Sequence, residues 1–214
     1  MKSDSRNQEL KRRRGAPPKG EPSARDRILE TATELFYREG IQVTGVDTVV
    51  ARSNVSKTSL YRTFVSKDEL IAAVLEGQDR GYWAWWDGVI AKASSNPRAQ
   101  LKAILVAISR HTATAAWRGC PFINAAIELA DSDHPGHARV VANKEELKKR
   151  LTDLCRKIGA RQPARLGGQL AMLVNGAYSS GPITGTAHME ADLVAAALAI
   201  VDGNLDVADQ GSSR

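Results

Sequence analysis

The side chains whose types and spacing could do chemistry fall into a few groups. Ser56, Lys57, Thr58, Ser59, Tyr61 and Arg62 put hydroxyls and cations into one short segment, while Leu60 and Phe64 stand four apart. On a helix, Leu60 and Phe64 turn to a core. The first-turn side chains Lys57, Thr58 and Ser59 are then the small polar or cationic types that reach base edges in a DNA major groove. Tyr61 and Arg62 lie on flanks that can meet phosphates, and Ser56 caps the segment. Lys67 opens the following helix, where free amides and a cation together suit a phosphate. His134 and His137, near Asp131 and Asp133, are metal-ligand types, but Pro135 lies between them and such residues also build caps and turns, so no metal site is expected. Cys120 and Cys155 form no disulfide framework and read as small buried residues. No Ser-His-Asp set, glycine-rich phosphate loop or paired-carboxylate motif stands out. No catalytic residue and no cofactor are expected; binding is.

The composition agrees with a globular binding protein. The 214 residues are 43% hydrophobic and 25% charged, with a net charge of +6. No apolar run approaches the roughly 18 residues of a membrane span. Residues 1–6 lead into more charge, without the apolar segment of a secretory signal, so a cytoplasmic protein is expected. Residues 1–20 hold seven cations, Arg12, Arg13 and Arg14 among them, against Asp4 and Glu9, and almost nothing apolar. A disordered basic arm is expected over 1–22, which reads either as a solubilising tail or as a phosphate-seeking extension of a nucleic-acid module.

The elements that must position these groups are all helical. Ser23 to Asp26 resembles a capping box, followed by the stripe Ile28, Ala32, Leu35, Phe36 and the closing Gly40, a helix over 24–39. A cap signal over 44–47 opens a short helix ending near Arg52, and Asn54 suits a tight left-handed turn before the helix from Lys57 to Phe64. Ser66 to Glu69 is a capping box for a long fourth helix. Asn96-Pro97 starts a fifth, expected to reach about Trp117; a sixth follows from Phe122, a seventh from Pro135 to Gly159, an eighth stopped by Gly181-Pro182, and a ninth from Met189 to Gly203. The fold class is all-α with about nine helices. The domains read as a helix-turn-helix head at 23–69, a helical body at 70–205 and a polar tail at 206–214.

Residues 27–40, 44–51, 55–64 and 66–70 together resemble a TetR-family transcriptional regulator. The resemblance covers about a third of the chain. It implies a three-helix DNA-binding head, a linking fourth helix and a ligand-binding, dimerising body. In the family, positions matching Lys57, Thr58, Ser59 and Tyr61 contact DNA, and those matching Thr44 and Lys67 usually contact phosphate; Arg52 and Ser56 complete the expected DNA set. Asn54 replaces the common turn glycine, and Thr58 a common glycine of the recognition helix.

If the body is like the family's, helices four to seven enclose a ligand chamber. Tyr82, Trp83, Trp85 and Trp86 form a dense aromatic run, and large aromatics can wall an apolar cavity. Trp83, Trp86, Trp117, Phe122 and Asn124 are the expected ligand residues. The last two helices carry wide apolar faces with many small residues, which suits a homodimer through helices eight and nine. The expected function is therefore a ligand-responsive repressor, released from a palindromic double-stranded DNA operator by a small-molecule effector and not membrane-bound. The competing reading is an activator, or a DNA-binding regulator without an effector.

Overall fold

The computed structural model describes residues 22–184 and 189–205. The basic arm up to residue 21 and the polar tail from 206 lie outside the described residues. Nine α-helices and no strand occur among the described residues: α1 (Ala24–Arg38), α2 (Val46–Ser53), α3 (Lys57–Thr63), α4 (Lys67–Lys92), α5 (Pro97–Thr112), α6 (Pro121–Glu128), α7 (Pro135–Ile158), α8 (Pro163–Thr184) and α9 (Met189–Asp202). The fold is all-α, as the periodicity implies.

The caps explain why the short helices start where they do. Ser23 Oγ accepts from Asp26 N, and Asp26 Oδ2 accepts from Ser23 N, each at 3.1 Å. Ser56 Oγ accepts from Ser59 N at 3.2 Å, and Ser66 Oγ from Glu69 N at 3.1 Å. Asn54 has φ 53° and ψ 40°, the left-handed turn that separates α2 from α3. Ile28, Ala32 and Leu35 of α1 meet Val49, Leu60, Phe64 and Leu70 in the core of the head. α4 then continues without a break for 26 residues, about 39 Å at 1.5 Å per residue, into the body.

Three boundaries differ from the sequence reading, each for a local reason. The N-cap of α2 is Gly45, not Thr44; the Thr44 hydroxyl points inward and donates to Gly40 O at 2.6 Å. α5 ends at Thr112 rather than near Trp117, where the Thr112 and Thr114 hydroxyls donate to Ser109 O and His111 O and so compete with the helical amides for the last carbonyls. α8 runs through Gly181-Pro182 to Thr184. A proline there has no N–H to give the carbonyl four residues back. That carbonyl, Tyr178 O, accepts instead from the Trp117 indole Nε1–H at 3.3 Å.

In the body, α7 and α8 pack closest, and Gly167 is the reason. A Cβ at Gly167 would lie 2.2 Å from Thr152 Oγ1 and 2.7 Å from Thr152 Cα, so backbone meets backbone there. Gly167→Ala is expected to destabilise the protein by about 1–3 kcal/mol, because the helices must part. Thermal melting reads this as a lower midpoint; an unchanged midpoint would show that α7 and α8 can separate at little cost.

Candidate functional site

The recognition segment is built as its sequence requires. Leu60 and Phe64 are buried, while Lys57, Thr58, Tyr61 and Arg62 are exposed and Ser59 is half-buried. Lys57 Nζ pairs with Asp47 Oδ1 at 2.7 Å, and this hydrogen bond raises the Lys57 pKa by favouring the ammonium. Both partners are exposed, so the pair is weak and can be exchanged for a DNA contact. Lys67 Nζ donates to Gln42 O at 3.4 Å, beside the start of α4. Arg52 spans to Glu39 at 3.2 Å and Glu34 at 3.8 Å, tying α2 to α1. Thr44 is buried, main chain included, and its hydroxyl is occupied by Gly40 O.

The body contains a cavity of about 340 Å³, within the range of small-molecule sites. α4 supplies Gln78, Gly81, Tyr82 and Trp85, at one-turn spacing along a single face. His111 lies in the last turn of α5, Trp117 and Cys120 come from the following loop, and Pro121 and Phe122 open α6. α7 supplies Asn143, Lys144 and Leu147, and α8 closes the wall with Tyr178. The Tyr82 and Tyr178 hydroxyls share a hydrogen bond of 2.8 Å. Burial pushes both phenols above their usual pKa, so both stay protonated. Partial burial lowers the pKa of His111, which favours its neutral imidazole.

Of the expected ligand residues, Trp117 and Phe122 line this cavity; Trp83, Trp86 and Asn124 do not. Trp86 is 3% exposed and packs in the core against Tyr82 and Trp83. Trp83 turns toward α7: its Nε1–H donates to Asp79 Oδ1 at 2.8 Å, and the Arg150 guanidinium stands 4.5 Å from its ring centre. Asn124 staples the turn before α6, donating from Nδ2 to Arg118 O at 3.1 Å. The adjoining Gly119 has φ 96°, and its missing Cβ leaves room for the Asn124 amide. The sequence marks Tyr82 and Trp85 within an aromatic run able to wall a cavity and Cys120 beside a helix break, without choosing them as ligand residues, and gives no ligand role to His111, Asn143, Lys144 or Tyr178. A signal existed on α4, where Gln78, Tyr82 and Trp85 mix polar and aromatic side chains on one helical face. Lys144 and Tyr178 fall on the apolar stripes of α7 and α8, which marks them as inward-facing, but their meeting depends on how α7 and α8 pack.

The head is fastened to the body near the cavity. Glu128, at the end of α6, accepts from Gln42 N through Oε2 and from Gln42 Nε2 through its carbonyl, each at 2.9 Å. Tyr37 of α1 donates from its hydroxyl to Gly119 O at 3.2 Å and accepts from Arg118 N at 2.8 Å. His134 Nδ1 accepts from Gly136 N, capping α7, while its Nε2 faces Asp68 of α4 at 3.3 Å. The loop before α6 thus touches α1, and α6 has one end in the cavity wall and the other on the loop that leads into the helix-turn-helix.

Comparison with known proteins agrees with this architecture. Residues 28–74, which span the head and the first turns of α4, match the bacterial regulatory proteins of the TetR family. A TetR-family transcriptional regulator from Streptomyces coelicolor has a crystal structure similar to this chain at a TM-score of 0.81 and 31% identity, over 86% of this chain and 96% of that one. An HTH-type transcriptional regulator of Lactococcus lactis subsp. lactis is 26% identical over 146 residues, 68% of this chain and 71% of the relative. An HTH-type transcriptional repressor of Mycobacterium tuberculosis is 37% identical over 59 residues, 28% of this chain and 31% of that protein. The fold and the head define a DNA-binding transcriptional regulator. The chain belongs to the TetR family. No helix among the described residues is long and apolar enough to cross a membrane.

Lys57→Ala is expected to weaken operator binding by about 1–3 kcal/mol if Lys57 reads a base, and by less if it meets only phosphate. The melting midpoint should stay put, since the ion pair lost is exposed. Fluorescence anisotropy with operator DNA checks this, and unchanged affinity would remove Lys57 from the interface.

Proposed function

We propose that this chain is a homodimeric repressor, released from a two-fold symmetric operator when a small-molecule effector enters the body cavity. The observation that carries the reading is the placement of α6. Its first turn, with Pro121 and Phe122, walls the cavity, and its last residue, Glu128, holds Gln42. An effector pressing on Phe122 and Trp117 displaces α6 and the turn that grips Tyr37, and the head moves with them. Two heads must fall about one DNA turn, or a multiple of it, apart, so a modest rotation of each prevents simultaneous docking. By linkage, operator DNA weakens the effector by the same factor.

In this reading Lys57, Thr58, Ser59 and Tyr61 meet the major groove, with Ser56, Lys67 and Arg52 along the phosphates. Repression is favoured by the Mycobacterium tuberculosis relative, whose likeness is 37% over 59 residues. The dimer forms through α8 and α9. Met172 on α8 is 76% exposed, and Ala195, Ala196 and Ala199 form an exposed small-residue face on α9. Both features suit close helix contact across a two-fold axis.

The test is a titration of the protein on DNA flanking its own gene, followed by a chemically mixed compound panel. Release by at least one compound supports the reading; binding that no compound weakens favours a regulator without an effector. Glu128→Ala should leave operator and effector affinities each nearly intact while reducing their mutual coupling, typically about 5–150-fold in regulated proteins, toward one. Anisotropy with and without the releasing compound measures it, and full coupling in the variant would reject α6 as the link. Met172→Arg should shift the protein toward monomer in sedimentation velocity and weaken operator binding with it; a dimer of unchanged strength would place the interface elsewhere.

A further inference from the structure

The lining of the body cavity is unbalanced in charge, and among its polar atoms Gln78 Oε1 is a buried acceptor without a protein partner. No carboxylate is among the lining residues, whereas Lys144 brings an ammonium. Lys144 Nζ donates to Asn175 Oδ1 at 3.0 Å and to Cys120 Sγ at 3.4 Å. Among the described residues no carboxylate lies within salt-bridge distance of it. The Asp79 carboxylate, itself not part of the lining, accepts from Trp83 Nε1 and Asn143 Nδ2. An ammonium carries three N–H donors, and Lys144 is half-buried with no carboxylate beside it, so an anion entering the cavity gains a charged partner.

The tyrosine pair brings a further donor to the wall. Two hydroxyls carry two hydrogens, and their mutual bond uses one. The other has no protein acceptor among the described residues, and burial keeps both phenols protonated. Lys144 Nζ lies 5.7 Å from the centre of the Tyr178 ring, so the cation and the phenol pair occupy one end of the same wall. The remaining surface is dominated by flat rings. His111 meets Trp117 edge-on at 4.9 Å, and Trp85 stands 6.1 Å from His111. Such a surface stacks on an aromatic body at low entropic cost.

We propose that the ligand of this cavity is an aromatic monocarboxylate, its acid group held by the Lys144 ammonium and the Tyr82–Tyr178 hydroxyls and its ring packed against Trp85, Trp117 and Phe122. A single cation matches a single negative charge, which favours a carboxylate over a phosphate dianion. A cationic ligand would face Lys144 with no lining carboxylate to balance it. The proposal rests on the cavity being the effector site and adds the chemical class of the effector.

Isothermal titration of the full chain with 1-naphthoate, its neutral isostere 1-naphthamide and cationic 1-naphthylmethylamine tests it, with octanoate as the non-aromatic acid. Naphthoate should bind about ten-fold or more tighter than the amide, as expected for a charge-assisted contact to a half-buried ammonium, and the amine should bind weakest. Octanoate should bind more weakly than naphthoate. Lys144→Met should bring the acid-to-amide ratio close to one while leaving amide binding in place, and Lys144→Arg should preserve the preference. Circular dichroism establishes that each variant is folded, and the wild-type comparison stands without them. Equal affinity for acid and amide, no binding of any naphthyl probe, or a preference surviving in folded Lys144→Met would overturn the proposal. Operator release by a neutral or cationic compound would overturn only the charge assignment and leave ligand control standing. Acid binding without operator release would instead overturn ligand control and leave the chemistry of the cavity intact.

Discussion

The two hydrogen bonds between Glu128 and Gln42 hold together the parts on which everything else depends. Gln42 belongs to the loop between α1 and α2, so its position sets how the helix-turn-helix leaves α1. Glu128 closes α6, whose opening turn is cavity wall. The two hydrogen bonds of Tyr37 to the loop before α6 join them, and the charged contacts between α4 and α7 are lighter. Asp68 faces His134 and Glu76 faces Arg139, each at 3.3 Å with a largely exposed acid, and such contacts contribute about 0–1 kcal/mol each. A junction of this kind holds one arrangement at rest and still lies within reach of the few kcal/mol that differential ligand binding supplies.

The cavity and the irregular helix beside it are consequences of one another. Pro182 leaves the carbonyl of Tyr178 without a helical partner, and the Trp117 indole fills the gap. Trp117 can do so because α5 stops at Thr112 and the chain turns back before α6. The same ring then forms wall beside His111 and Tyr178. Removing the indole would thus open the cavity and leave a carbonyl of α8 unsatisfied, which couples the shape of the site to the stability of the body.

How much was legible in the chain depends on the range of the interactions involved. The head was readable almost residue by residue: the Ser23, Ser56 and Ser66 caps, the left-handed Asn54 and the buried Leu60–Phe64 pair are all set by contacts within a few positions. The exposure of Lys57, Thr58 and Tyr61 follows from the same helical phase. Thr44 escaped because its hydroxyl serves Gly40, a choice between capping and burial that both fit a threonine.

The body was legible as helices but not as a site. Along α4, Trp83, Trp85 and Trp86 are chemically alike, and helical phase separates them without saying which face meets α5, α7 or α8. Packing decided it: Trp86 went to the core, Trp83 to Asp79 and Arg150, and Trp85 to the cavity. Lys144 and Tyr178, thirty-four positions apart in the chain, meet because Gly167 lets α7 and α8 approach backbone to backbone. By itself the sequence determined the helices, their caps and the face the recognition helix offers to DNA, because those follow from local hydrogen bonds and a repeat of 3.6 residues. Only the tertiary structure decided which aromatics enclose a cavity and which cation it contains, because those follow from contacts between helices that no local pattern encodes.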